Sequence, residues 1–117
     1  QDIALIDARK GLNMFRKVDV PVLGIIENMS HFSCPHCGEV SHIFSKGGAE
    51  KEAERLGVDF LGSIPLDIGI REGSDLGKPI AEYLPQNELS SIYASISKKI
   101  NLSINNIKKS NPNIIIE

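Results

Sequence analysis

The chain has 117 residues and a formal net charge of −2, with 41% hydrophobic and 24% charged residues. This composition is ordinary for one compact soluble domain, and no basic field favours nucleic acid or an anionic membrane as a partner. We see no stretch near the roughly 20 apolar residues that span a bilayer, and no secretory leader. We therefore expect a cytoplasmic protein with no nucleic-acid or membrane partner.

Apolar residues recur near the helical period over residues 3–17, which predicts an amphipathic helix. The β-branched apolar run over 20–26 predicts a strand buried on both faces. A second helix is predicted over 49–56, ended by Gly57, and a second strand over 58–64. Residues 66–85 are rich in glycine and proline and predict turns, before a final helix over 88–102.

This order of helices and strands is typical of an α/β fold, a doubly wound and mainly parallel sheet with right-handed crossovers. Two strands are too few for such a sheet, so we expect its first strands to lie outside this chain. The chain would then be the C-terminal portion of the fold. We assign residues 1–104 to this domain, with an inserted metal loop at 29–46, and predict a flexible tail at 105–117.

The two cysteines of the chain lie together in the run Cys34-Pro35-His36-Cys37-Gly38. A CxxC turn directs two thiolates at one metal, and Gly38 permits a positive φ that turns backbone N–H groups toward the sulfurs. Such hydrogen bonds stabilise thiolate charge, which suits zinc or iron. We predict Cys34 and Cys37 as metal ligands. Two sulfurs leave a four-coordinate site half filled, so further ligands come from another chain or from nearby histidines.

Three histidines flank the cysteine pair: His31, His36 and His42. Exposed loop histidines are common, and the spacing does not resemble the HxxxH pair of many metal sites. We therefore do not predict a direct ligand role for any of them. His36, between the cysteines, is expected to point away from the metal and to tune its electrostatics.

Two other interpretations of the cysteine pair stay open, namely a redox site and a purely structural thiol pair. A Cys-Pro-His-Cys run also occurs in thioredoxin-fold oxidoreductases, where a helix N-terminus lowers the pKa of the first cysteine. The residues after Cys37 do not favour a helix, and the preceding strand ends too far upstream for a tight strand-to-helix turn. The metal interpretation is therefore preferred.

Asn28 directly follows the first predicted strand, at the kind of edge where open α/β sheets bind ligands. Its amide can donate to and accept from a purine edge, although, taken alone, an asparagine that helps the turn is the better explanation of this position. The sequence contains no GxxxxGK[ST] phosphate loop. We therefore expect no ATP hydrolysis from this chain by itself.

Taken together, these stretches resemble the Mrp-type iron–sulfur cluster carriers, a branch of the MinD-like P-loop ATPases. The resemblance runs from residue 1 to about residue 85, and is carried by QDIALIDARKGL (1–12), VLGIIENMS (22–30), CPHCG (34–38), GGA (47–49) and LGSIPLD (61–67). It implies a P-loop NTPase fold whose Walker A and Walker B motifs precede the region seen here.

The resemblance implies a homodimer that holds a labile [4Fe–4S] cluster between its subunits and passes it to apo-proteins. Cys34 and Cys37 of each subunit match the cluster ligands. The complete protein would bind and hydrolyse ATP with Mg²⁺, with Asn28 matching the base-recognising amide and Pro65 lying in the segment that lines the base. The alternative function is a zinc-dependent dimerisation module without catalysis.

Overall fold

The computed structural model describes residues 1–106 as a mixed α/β structure with one parallel and one antiparallel pair of strands. The α/β class predicted from the sequence is confirmed. In chain order the elements are α1 (Asp2–Lys17), β1 (Ile25–Glu27), β2 (Phe32–Ser33), β3 (Val40–Ser41), α2 (Gly48–Leu56), β4 (Phe60–Ser63), α3 (Ile68–Asp75), α4 (Ile80–Tyr83) and α5 (Glu88–Asn106).

The centre of the fold is the parallel pair β1 and β4, whose register joins Ile25 to Phe60 and Glu27 to Ser63. Helix α5 packs against β4, and Leu61, Ile64 and Ile96 form the buried cluster between them. The core is small because the sheet has only two strands among the described residues. Helix α1, which packs against α2, keeps a series of exposed apolar side chains, including Ile3, Ile6, Met14 and Phe15.

A buried carboxylate joins the two N-terminal helices. Glu52 of α2 is only 5% exposed, and its two oxygens accept hydrogen bonds from Nε and Nη2 of Arg9 on α1. Arg55 Nη2 adds a further bond at 2.9 Å. The hydrogen bonds from Arg9 lower the pKa of Glu52, since they outweigh the opposing effect of burial. The ion pairs therefore hold Glu52 charged and fix α1 against α2.

Both predicted strands are longer than the observed ones. The predicted strand 20–26 begins only at Ile25, because within residues 1–106 β1 pairs only with β4 and that ladder starts where Ile25 N donates to Asp59 O at 2.8 Å. The prediction of turns over residues 66–85 was wrong for α3 and α4. Asp67 Oδ1 caps α3 by accepting from Gly69 N at 2.7 Å and from Ile70 N at 3.4 Å, which starts a helix despite its glycines.

The three helices predicted from the sequence are confirmed as α1, α2 and α5. Helix α5 continues to Asn106, two residues into the predicted tail 105–117, and the rest of that predicted tail lies outside the described residues. Within the described part of the chain, no helix has the length and apolar character needed to cross a membrane.

Candidate functional site

The cysteines lie at the tip of a short hairpin formed by β2 and β3. The strands pair antiparallel, with Phe32 opposite Ser41, and the ladder closes where Cys34 N donates to Glu39 O at 2.9 Å. Gly38 has a φ of 73°, and its N–H donates to Cys34 O at 2.8 Å. The positive φ predicted at Gly38 is therefore confirmed.

Both cysteines are free thiols, Cys34 half-buried and Cys37 exposed. The backbone N–H of Cys37 and then that of His36 donate toward Cys34 and lower the pKa of its thiol. The Cys37 side chain adds to this effect, while burial opposes it. Because the thiolate is the form that binds metal, the turn favours ligation at Cys34.

The donor set suits a thiophilic metal but fills only half a site. Among residues 1–106 no group of three or more His, Cys, Asp and Glu side chains is placed to hold a metal ion. Thiolate donors favour zinc and iron–sulfur clusters, and both need about four ligands. The tip thus fits one half of a shared centre.

The hairpin grows directly out of the carboxyl end of the parallel ladder. Beyond β1 and β4, Ser30 N donates to Ile64 O at 3.0 Å and Leu66 N donates to His31 O at 2.7 Å. A parallel bridge then joins Phe32 to Leu66. The hairpin and the sheet are therefore parts of one hydrogen-bonded ladder.

Ser30, buried at 8% exposure, organises two histidines at the base of the hairpin. Its Oγ donates to Ile64 O at 3.1 Å and lies 3.2 Å from His31 Nδ1, while its carbonyl oxygen lies 3.3 Å from His42 Nδ1. The two imidazole rings are 6.2 Å apart between centroids. His36 lies between the two cysteines in the sequence, at the tip of the hairpin rather than at its base. The His31–His42 pair was not predicted from the sequence, since it depends on a register that only the hairpin defines.

The two predicted nucleotide residues follow neighbouring strands but line different cavities. Asn28 is exposed, and its Oδ1 accepts from Met29 N at 2.9 Å, as expected of an asparagine that helps a turn. It lines a cavity of about 300 Å³ between α1, β1 and the start of α2. Pro65 is buried and lines a second cavity between the hairpin and the start of α5. Their assignment to a nucleotide site stays a prediction.

Glu27, at the end of β1, was not singled out from the sequence. Its carboxylate accepts from Ala49 N at 3.3 Å and from Ser63 Oγ at 3.4 Å. It therefore links β1 to β4 and to the N-terminal end of α2, beside the cavity that Asn28 lines. The sequence feature that could have identified Glu27 is its place as an acidic residue directly after an apolar run.

Comparison with known proteins decides the family. The family described as ParA: NUBPL iron-transfer P-loop NTPase matches residues 1–101. The chain belongs to this family. The predicted resemblance to Mrp-type iron–sulfur cluster carriers is thereby confirmed.

Several curated relatives are about half identical to this NUBPL-type chain. The iron–sulfur cluster transfer protein NUBPL of Dictyostelium discoideum is 50% identical over 99% of the chain and 38% of its own length. Its mouse counterpart is 49% identical over 86% of the chain and 31% of its own length. The iron–sulfur cluster carrier protein of Escherichia coli is 50% identical over 86% of the chain and 27% of its own length. The chain thus spans well under half of each of these relatives.

A solved structure supports the same fold. It is a nucleotide-binding protein from Archaeoglobus fulgidus in complex with ADP, described also as containing cobalt. It aligns with a TM-score of 0.53 at 38% identity, covering 61% of this chain and 29% of its own. The small parallel sheet with its helices therefore matches part of a ParA-type nucleotide-binding protein.

Proposed function

We propose that the complete protein carries a labile [4Fe–4S] cluster between two copies of this chain and delivers it to apo-proteins. The observation that supports this best is the hairpin tip, where Cys34 and Cys37 present two thiols on an otherwise polar loop. The lowered pKa of Cys34 favours the ligating thiolate. The cluster is the cargo of this reaction, and exposure of the tip gives a client access to it.

The number of cysteine ligands in the chain supports a homodimer. A four-iron cluster takes about four protein thiolates, and the chain has two cysteines. Cys37 is exposed and Cys34 only half-buried, so the tips of two copies can approach each other. Since the cluster would bind the dimer and not the monomer, cluster loading should stabilise the dimer by mass action.

We also propose that ATP with Mg²⁺ binds the complete protein at the carboxyl ends of β1 and β4. Asn28 and Pro65 follow these two strands, where open α/β sheets bind their ligands, and the Archaeoglobus fulgidus relative was solved with ADP. The phosphate loop and ATP hydrolysis would then belong to a part of the complete protein outside this chain. A cytoplasmic location also stays a prediction.

In this proposal the chain is the C-terminal portion of a doubly wound, mainly parallel sheet. The exposed apolar side chains of α1 and the 39% exposed Ile26 of β1 support it. A further layer of strands and helices would bury these side chains, as such sheets are covered on both faces.

The continuous ladder suggests how nucleotide and cluster could influence each other. Between Asn28 and β2 lie only Met29, with a φ of 52°, the buried Ser30, and His31. A shift of Asn28 on binding a base would therefore reach β2 through hydrogen bonds rather than through a free loop. We propose that nucleotide occupancy regulates cluster affinity by this route.

The proposal is tested by anaerobic reconstitution of the complete protein, with iron and sulfide measured per chain and mass measured by light scattering. We expect one [4Fe–4S] cluster per two chains. Cys34→Ser and Cys37→Ser should each abolish stable cluster binding, because each removes two of four ligands in a symmetric dimer. His36→Gln, a change within the same turn, should retain the cluster. A full cluster on a monomer, or normal iron in either cysteine variant, would refute the bridging arrangement.

The second candidate is a zinc-dependent dimerisation module, which the same four thiolates would support. Absorption in the thiolate-to-iron charge-transfer region after anaerobic purification distinguishes it from the carrier. The lowered pKa of Cys34 is also compatible with thiol–disulfide exchange. Reduction of insulin disulfides by the metal-free protein would favour that third function.

A further inference from the structure

His31 and His42 face each other across the base of the hairpin. The register that pairs Phe32 with Ser41 also places His31 opposite His42. Cys34 and Glu39 form a hydrogen-bonded pair, and because such pairs alternate along an antiparallel ladder, His31 and His42 occupy a non-hydrogen-bonded position. The donation of Leu66 N to His31 O, on the side away from β3, agrees with this assignment. Side chains lie closest at such positions.

The hydrogen bonds of Ser30 define the tautomers of both rings. A carbonyl oxygen only accepts, so the 3.3 Å contact of His42 Nδ1 with Ser30 O requires a proton on Nδ1. The single hydroxyl proton of Ser30 is donated to Ile64 O. Its Oγ must then accept from His31 Nδ1 at 3.2 Å. In the neutral form, each imidazole therefore carries its free lone pair on Nε2.

Metal-ligating histidines are held in the same way, with one ring nitrogen donating a hydrogen bond and the other free to bind the ion. Such residues donate the other ring N–H to a carbonyl, carboxylate or water, which fixes the ring and raises its basicity. Two imidazoles bound through Nε2 to one ion, with metal–nitrogen distances of about 2.1 Å, have ring centroids roughly 5 to 6.5 Å apart. The observed separation of 6.2 Å, at an interplanar angle of 62°, lies in that range.

The histidine pair is distinct from the cysteine tip. Side chains alternate between the two faces of a strand, so Cys34, three residues after His31, belongs to the opposite face of the hairpin. Both histidine Nδ1 atoms hydrogen-bond to the hairpin base rather than to the tip. A cation held here would contact neither thiolate.

We propose that His31 and His42 form a second metal site, which binds a borderline divalent cation such as Zn²⁺ or Co²⁺ through Nε2. Imidazole nitrogen suits these ions. Because no third His, Cys, Asp or Glu of residues 1–106 joins the pair, water completes the coordination shell. The ion would join the two sides of the hairpin at the point where the hairpin leaves the sheet. The site does not depend on the cluster-carrier proposal.

The test uses the full chain with Cys34→Ser and Cys37→Ser, so that no thiolate competes for the added metal. Zn²⁺ is titrated by calorimetry and Co²⁺ by visible absorption. We expect about one ion per chain and no thiolate-to-cobalt band. His31→Gln and His42→Gln should each weaken binding by about tenfold or more, as even losing the partner of a metal-ligating histidine costs 10–100-fold. His36→Gln is the matched control and should leave the affinity unchanged.

A measurement without histidine substitutions guards against variants that fail to fold. In ¹⁵N-labelled chain carrying the two serine substitutions, Zn²⁺ should shift the Nε2 resonances of His31 and His42 and leave those of His36 in place. The proposal is overturned if Zn²⁺ does not bind, if the His31 and His42 variants bind normally, or if His36 responds like the other two.

Discussion

At the scale of single residues, the chemistry of the hairpin tip depends on backbone more than on side chains. The N–H groups of Cys37 and His36 point toward Cys34, and Gly38, with a φ of 73°, donates its own N–H to Cys34 O at 2.8 Å. This part of the site was predictable, because a glycine after a CxxC turn has few other reasons to be there. The pairing of His31 with His42 was not, because it follows from a register between residues eleven positions apart.

The lowered pKa of Cys34 predicts its reactivity. In the metal-free Cys37→Ser variant, which keeps a hydroxyl at position 37, iodoacetamide should alkylate Cys34 with a rate inflection below the ordinary cysteine value of about 8.5. The pKa is lower in the folded state, so the stability due to Cys34 is complete above the unfolded pKa and is lost as pH falls through the folded one. In urea the inflection should return to the ordinary value. An unchanged inflection on unfolding would contradict the role of the turn.

At the scale of elements, α1, α2 and α5 were predictable, whereas α3 and α4 were not. The apolar stripes of α1 and α5 follow the 3.6-residue period, and glycines on either side of α2 mark its ends. Helices α3 and α4 contain or adjoin Gly69, Gly73 and Pro79, which indicate turns in sequence. The cap from Asp67 overrides that signal locally. Strand ends could not be predicted, since each strand extends only as far as its partner does.

The ion pair between α1 and α2 predicts a pH-dependent stability. Glu52→Gln should lower the urea midpoint at pH 7, because Arg9 and Arg55 lose their buried anion. The pKa of Glu52 is lowered in the fold, so its contribution is complete above the unfolded value of about 4.3 and disappears as pH falls through the folded pKa. The difference between the two proteins should therefore shrink toward acid pH. Glu50→Gln, at an exposed position of α2, is the control and should have little effect at any pH.

Two glycines differ in the space available for an added Cβ, and this difference predicts how the stability responds to alanine at each position. A Cβ at Gly24 would lie 2.5 Å from Asp59 O and 2.7 Å from Leu61 Cγ, so Gly24→Ala should destabilise the fold by about 1–3 kcal/mol. At Gly11, within α1, no atom outside the neighbouring turns of the helix backbone lies within 4 Å of the added carbon, and Gly11→Ala should stabilise by up to about 1 kcal/mol. Urea unfolding measures both. Equal effects of the two substitutions would contradict the packing described here.

At the scale of the whole molecule, the described residues contain one parallel sheet of two strands, and several apolar side chains of α1 are exposed. The two parallel strands were predicted from the sequence. The sequence could not show that the hairpin is joined to the sheet by the bridge between Phe32 and Leu66. That bridge depends on contacts between segments far apart in the chain.

The complete protein provides the test of the nucleotide prediction. Asn28→Ala should weaken ATP binding by about 1–3 kcal/mol if a base leaves a polar atom unpaired, while iron content after reconstitution stays normal. Calorimetry with a non-hydrolysable ATP analogue measures the change. Lys46→Ala, an exposed change in the same loop, serves as the control. If Asn28→Ala binds ATP with unchanged affinity, the role of Asn28 is to hold the turn by accepting the hydrogen bond from Met29 N.

Met29, with a φ of 52°, is the one residue between Asn28 and the ladder contacts of Ser30. Ser30 and His31 are hydrogen-bonded to residues 64–66 beyond β4, so the hairpin and this second segment form one lever. A fully extended lever from Met29 to Cys34 would be about 17 Å long at 3.3 Å per residue. If nucleotide binding turns it as proposed above, a rotation of about 10° would carry the sulfur through roughly 3 Å, more than the metal–sulfur bond length of about 2.3 Å. A small motion at the sheet edge would then be large enough at the tip to release the proposed cluster.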